Sequence, residues 1–376
     1  MIYLDHNATT PIDPEVAEAM KPYLGSHYGN PSSGYSLGRA AREALEAARS
    51  QVSELLGCQT QEIVFTSGGT ESNNMVIKGA AHTLAEKGRH IITTAIEHPA
   101  ITNPCLYFLY QGFEVTFLPV DSTGLVDPLS VKEAIQPDTI LISVMHANNE
   151  TGAVQPIGEI GQFAREAAVL FHTDAAQSAG KIPLPVSKLH VDLASVAGHK
   201  MYAPKGIGAL FIRNTLHFEP LMHGAGQERG RRAGTENVMF AVGLGKACAL
   251  ARDRMSKDAE RIRALRDRLN ERLMMGIPGL VLNGHPEKRL PNTLNVSVPG
   301  MDGGRVLDAL PEICASTGAA CHDRSVTISH VLAAMQIPDE VARGAIRLTL
   351  GRENTEGEID EAAAMIIRTY HELKNT

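Results

Sequence analysis

A chain of 376 residues, 43% of them hydrophobic, can bury a large core and is long for one globular unit, so one large and one smaller domain are expected. Its formal net charge of −7, without any block of like charges, leaves no electrostatic footprint for stable nucleic-acid binding, and no stretch reaches the roughly 18 uninterrupted apolar residues of a membrane span. The opening MIYLDHNATTP lacks a basic, apolar leader pattern, and the five cysteines, odd in number and without a CxxC pair, fit reduced thiols; a cytoplasmic protein without disulfides or a zinc site is expected.

Along the chain, Ser36 to Leu56 carries Ala, Leu and Val at helical spacing and stops at Gly57, which predicts a helix. From Gln61 to Arg213, seven short apolar runs alternate with helical patterns: EIVFT, HIITTA, EVTFLPV, TILISVM, VLFHT, DLASVA and ALFIR. That alternation predicts an α/β domain with a seven-stranded, mainly parallel sheet and helices on both faces. Ligands of such sheets gather at the carboxyl ends of the strands, so the residues that follow each run are the candidates.

After EIVFT comes SGGTESNN, in which Gly69 and Thr70 open a helix; small residues there let backbone N–H groups approach an anion, although an ordinary glycine-rich turn fits equally well. After HIITTA comes His98, either a structural histidine or one that meets a ring or a proton. Asn149 in HANNETG is a ligand donor or part of an Asx turn, and Asp174 after VLFHT is an N-cap or a carboxylate facing the crevice. Lys200 lies between the runs VDLASVA and GIGALFI, beside His199; an amine held at a strand end is a surface lysine or a Schiff-base former. Together, the phosphate cup, the flat-ring residue, the carboxylate and the lysine match the needs of pyridoxal 5'-phosphate (PLP).

Downstream, HGAGQERGRRAGTENV from His223 to Val238 reads as an exposed loop whose Thr235 offers a hydroxyl to a phosphate, and Val242 to Met274 reads as a helical bridge. LPNTLNVSVPG then opens a small α+β unit packed with the N-terminal segment. In that unit, STGAACH is built of small residues and places Cys321 beside His322, whereas Cys314 ends an apolar run and reads as core. Arg347, inside the strand-like run AIRLT, suits a bidentate grip on a carboxylate or a surface ion pair.

The motifs YLDHNATTP, YGNPSS, FTSGGTESNN, EHPA, NNETG, HTDAAQ, GHKMYAPKGIGAL, GQERGRRAGTEN, GAAC and IRLTLGR, in this order over nearly the whole chain, resemble the cysteine desulfurases of the NifS/IscS type, within the class V aminotransferase-like group of fold type I PLP enzymes. The resemblance implies a large PLP-binding domain over residues 16–255 and a small α+β domain formed by 1–15 and 256–376. It implies that Lys200 holds PLP covalently, His98 stacks on its ring, Asp174 pairs with the ring nitrogen and Gln177 meets the phenolic oxygen. Gly69, Thr70 and His199 would bind the phosphate, joined by Thr235 of the other protomer of a homodimer. Asn149 and Arg347 would take the substrate carboxylate, and Cys321 would accept sulfur from L-cysteine as a persulfide, leaving L-alanine. A sulfur-acceptor protein would then serve iron–sulfur cluster assembly, tRNA thiolation or DNA phosphorothioation. Two features depart from the desulfurase pattern: Ala197 stands where a serine is frequent, and STGAACH replaces the common SSGSACT. GAACH is also similar to selenocysteine lyases, the alternative within the same chemistry. An ordinary aminotransferase and a non-catalytic sulfur carrier are the more distant alternatives.

Overall fold

The computed structural model describes residues 1–318 and 328–375. After a two-residue strand β1 (Ile2–Tyr3) and the helix Ser36–Leu56, all seven expected runs are strands: β2 (Ile63–Thr66), β3 (His90–Thr94), β4 (Glu114–Leu118), β5 (Thr139–Ser143), β6 (Leu170–Asp174), β7 (Leu193–Ala197) and β8 (Gly208–Ile212). They form one sheet in the order β2-β8-β7-β6-β5-β3-β4. Only β8 runs against its neighbours, β2 and β7, so the other six strands all point the same way.

Successive side chains of a strand face opposite sides of its sheet. Phe65, Ile92, Ile142, Ala194 and Phe211 accordingly enter one core, while Val64, Ile91, Leu141, Leu193 and Leu210 enter the other. The near-continuous apolar runs of the sequence are what a sheet covered on both faces requires. Strand β4, at one edge, is the least buried.

A helix of 39 residues, Val238–Gly276, leaves the sheet: its first half packs Ala241, Leu244 and Ala247 on the sheet core, and its second half packs Ile262, Leu265, Leu269 and Leu273 in a separate core. That second core also takes Ile2 and Leu4, residues of β10 (Thr293–Ser297) and β12 (Ala345–Thr349), and the helix Glu356–Lys374. Strand β9 (Val281–Leu282) extends the β10–β12 pair, and β11 (Ile313–Cys314) runs parallel to β1, tying the N-terminal segment to this unit. Val331, Leu332, Met335 and Ala342 pack instead on the sheet core.

The segment from His223 to Val238 is not simply an exposed loop. Glu228, at 6% exposure, receives both Nη atoms of Arg49, at 2.6 and 2.9 Å, and the backbone N–H of Phe65. This bidentate pair with an added amide satisfies a carboxylate that burial would otherwise penalise. It holds Glu228 and Arg229 at φ of 45° and 58°, a left-handed conformation that costs roughly 1–3 kcal/mol per non-glycine residue.

Candidate active site

Because β2, β3, β5, β6 and β7 end on the same edge, the residues after them share one cleft of about 780 Å³, within the range that holds a cofactor with a small substrate. Gly69 and Thr70 start the 16-residue helix Gly69–Leu84 at its mouth. The preceding Gly68, at φ 153°, has a conformation that a side chain rarely adopts, and the first N–H groups of a helix have no partner within it, which leaves this helix start beside the cleft as a donor site for an anion. A Cβ on Gly69 would lie 3.4 Å from that of Ala197. The alanine in place of serine thus sits directly at the cup.

Asp174, the last residue of β6 and 6% exposed, is fixed at both oxygens: Asn73 Nδ2 donates to one at 2.7 Å and the N–H of Ala176 to the other at 2.9 Å. His98 caps the helix Pro99–Leu109 by accepting the Ala100 N–H at Nδ1, which places any neutral-ring proton on Nε2. Solvent reaches its ring, yet the protein around the cleft desolvates it enough to lower its pKa; Lys200 and His330 add to that and Asp174 opposes it. His199 is pulled to about 4 by burial and then by Lys200, so near pH 7 it is neutral and has an N–H donor or a ring-nitrogen acceptor to offer, not a positive charge.

Lys200 follows β7 in a short 3-10 turn, and its Nζ donates to the backbone carbonyls of Asn7 and Ala8 at 2.6 Å each. No carboxylate among the described residues pairs with it directly. Burial, reinforced by Arg347 and opposed by Asp5 and Asp174, brings it to about 8. Gln177 donates Nε2 to the same Asn7 carbonyl at 3.0 Å and accepts from Lys181 at 3.1 Å; Lys181 itself is brought to about 7 by burial, Lys200 and Arg347. A backbone carbonyl only accepts, which turns the Gln177 NH2 group toward Asn7 and its Oε1 toward Lys181.

Arg347 reaches the cleft from β12 and donates Nη1 to the backbone carbonyl of Asn149 at 3.0 Å. The pairing of Ser316 with Arg347 brings the STG stretch alongside, so Ser316 and Gly318 line the cleft, as do Ile328, Ser329 and His330. Cys321 lies outside the described residues. Thr235 is exposed and does not line this cleft. Sequence reasoning about single residues missed Asp5, Asn7 and Ala8, which line the cleft and appeared only within the motif YLDHNATTP. It also missed Asn73 and Lys181, whose signal is their helical spacing from Gly69 and Gln177.

The donor set fits PLP on its own chemistry. An uncharged-prone amine suits the aldehyde, a twice-anchored carboxylate suits a protonated ring nitrogen, and a helix start suits a phosphate. The family pattern described as Aminotransferase class-V matches residues 2–362. The chain belongs to the class-V aminotransferase family. Within this family it is 48% identical, over all of its own length and 93% of the relative's, to a cysteine desulfurase IscS of Methanosarcina thermophila. A solved structure described as a NifS-like protein superposes with TM-score 0.93 at 38% identity, covering 100% of both chains. Another, SspA in complex with cysteine, gives TM-score 0.82 at 36% identity over 93% of this chain and 99% of that one.

Taken as the amine that captures PLP, Lys200 gives this member of the class-V aminotransferase family a testable signature. Capture of PLP needs the neutral amine, of which an ordinary lysine near 10.5 supplies only about one part in three hundred at pH 8. With Lys200 at about 8, the rate at which cofactor-free protein takes up PLP should climb from pH 7 and level off above about pH 8.5. Stopped-flow absorbance of the lysine–cofactor linkage measures it, and a rate still climbing steeply at about pH 10 would mean that Lys200 is not desolvated.

Proposed function

We infer that the protein is a PLP-dependent cysteine desulfurase, which converts L-cysteine to L-alanine and mobilises the sulfur. The observation that carries this reading is the desolvated Lys200 amine sharing one cleft with the anchored Asp174 carboxylate and Arg347, in a chain that matches a cysteine desulfurase along its whole length. The relative solved with cysteine supports the substrate. PLP, when bound, supplies an electron sink for a carbanion at the substrate Cα.

Lys200 holds the cofactor between turnovers and, once displaced by the substrate amine, takes the proton from the substrate Cα as a base whose pKa is near working pH. Asp174, oriented by Asn73 and Ala176, keeps the ring nitrogen protonated, and neutral His98 presents a flat face to the ring. Gly69, Thr70 and His199 bind the phosphate, with Thr235 contributed by the second copy of a homodimer; exposed Leu24, Tyr28, Tyr35 and Leu37 offer that copy an apolar face. Gln177 donates to the phenolic oxygen, and Asn149 and Arg347 take the substrate carboxylate. The Cys321 thiolate attacks the substrate sulfur. The new S–S bond leaves a persulfide on the protein, the electrons of the broken C–S bond stay on the substrate carbon, and protonation there yields L-alanine.

A division into residues 16–255 and 1–15 with 256–376 is supported by the second core, while Val331, Leu332, Met335 and Ala342 of the smaller unit pack across it on the sheet core. The persulfide passes in the cytoplasm to an acceptor protein serving iron–sulfur cluster assembly, tRNA thiolation or DNA phosphorothioation. No helix among the described residues is long and apolar enough to cross a membrane.

The sequence GAACH favours one second reading, selenocysteine lyase. Loaded protein given L-cysteine and L-selenocysteine in parallel, with a reductant and alanine as the common readout, separates the two. Turnover of cysteine at a rate comparable to selenocysteine is expected. Turnover of selenocysteine alone would replace the first reading by the second.

A further inference from the structure

Arg347 is 5% exposed, and its guanidinium is only partly satisfied. Nη1 donates to the Asn149 carbonyl at 3.0 Å and Nη2 to Asp5 Oδ1 at 2.7 Å, while Nε is buried with no hydrogen-bond partner among the described residues. Nε and Nη2 form one edge of the planar fork, the edge that a carboxylate grips with two oxygens. Asp5 occupies one donor of that edge and leaves the other, Nε, buried without an acceptor, a costly state that a ligand oxygen brought to this edge would relieve. The Asp5 carboxylate lines the same cleft and lies 3.4 Å from Ser316 Oγ. Its main chain is held separately: the Asp5 carbonyl accepts from the Tyr3 hydroxyl and from the Ala8 N–H.

Resting on the reading that Arg347 takes the substrate carboxylate, we propose that Asp5 is a specificity-determining residue that shares the Arg347 guanidinium with the incoming α-carboxylate and so holds substrate and product loosely. Two carboxylates on one guanidinium repel each other, which weakens the grip on L-cysteine and on L-alanine alike. Asp5 thereby keeps Arg347 in place while the site is empty of amino acid, and it limits how tightly the product is retained. The effect is confined to ligands that bear the carboxylate.

The test compares L-alanine with ethylamine, the same amine without its carboxylate, by titrating the change in cofactor absorbance of the loaded protein. In Asp5→Asn, which keeps the shape and removes the charge, L-alanine should bind about tenfold more tightly while ethylamine changes by less than about twofold. Unchanged or weaker L-alanine binding, or an equal shift for ethylamine, would overturn the proposal. Should D5N not be recovered folded, Asp5→Ser removes the same charge and carries the same expectation. Arg347→Gln separates this proposal from the reading beneath it, since it should weaken L-alanine and spare ethylamine. If R347Q leaves L-alanine binding intact, the role of Arg347 fails, whatever D5N does.

Discussion

On the function proposed above, Lys200→Ala should lose at least about four orders of magnitude in alanine formation, because that reading asks one side chain both to anchor the cofactor and to move the substrate proton. The variant should nonetheless fold. Lys200 is a base whose folded pKa, about 8, lies below its ordinary 10.5. The folded state thus disfavours its charged form, a penalty fully present below pH 8 and gone above about pH 10.5. Removing the amine removes that penalty, and the freed carbonyls of Asn7 and Ala8 face a cleft that water enters. Thermal unfolding of cofactor-free K200A at pH 7 should therefore come no earlier than that of the cofactor-free unmodified protein. Borohydride should fix no cofactor to K200A. Residual turnover within about tenfold of the unmodified protein would remove Lys200 from the chemistry.

The fold and the site were legible to different degrees, for physical reasons. Seven strands could be read because a doubly covered sheet demands apolar runs of strand length, and both faces are filled, as the split of Ile91 from Ile92 and of Leu141 from Ile142 between the two cores illustrates. The reversed direction of β8 was not legible, since an antiparallel strand buried on both faces has the same composition as a parallel one. Lys200, Asp174 and His98 stood out because each follows a strand. Asp5 and Asn7 did not, because they reach the cleft from the far end of the sequence through contacts no local pattern encodes: Asn7 N–H donates to Thr349 and Asn7 Nδ2 to Thr293. The buried Glu228 hid in a Gly- and Arg-rich run for the same reason, its partner Arg49 lying 179 positions away.

Cys321→Ala should abolish persulfide formation and reduce alanine release by about three orders of magnitude, while leaving the cofactor absorbance and its change on adding L-cysteine. The other thiols exclude themselves by environment. Burial first, then Glu62 beside Cys58 and Glu97 beside Cys105, raise both to about 12, and burial raises Cys248 further, so none supplies appreciable thiolate near neutral pH. None of these three lines the cleft. Cys314 is the one rival. It ends β11, where its carbonyl accepts the Leu4 N–H at 2.8 Å, and it lies two positions before Ser316, which does line the cleft. Its strand pairing fixes its backbone against β1, whereas a thiol that takes sulfur from the cleft and passes it to another protein has to travel. Cys314→Ala should accordingly keep more than about half of the turnover. Should Cys321→Ala turn over normally while Cys314→Ala loses persulfide, the acceptor would be Cys314, and sulfur would leave from a fixed strand end that its partner protein must approach directly.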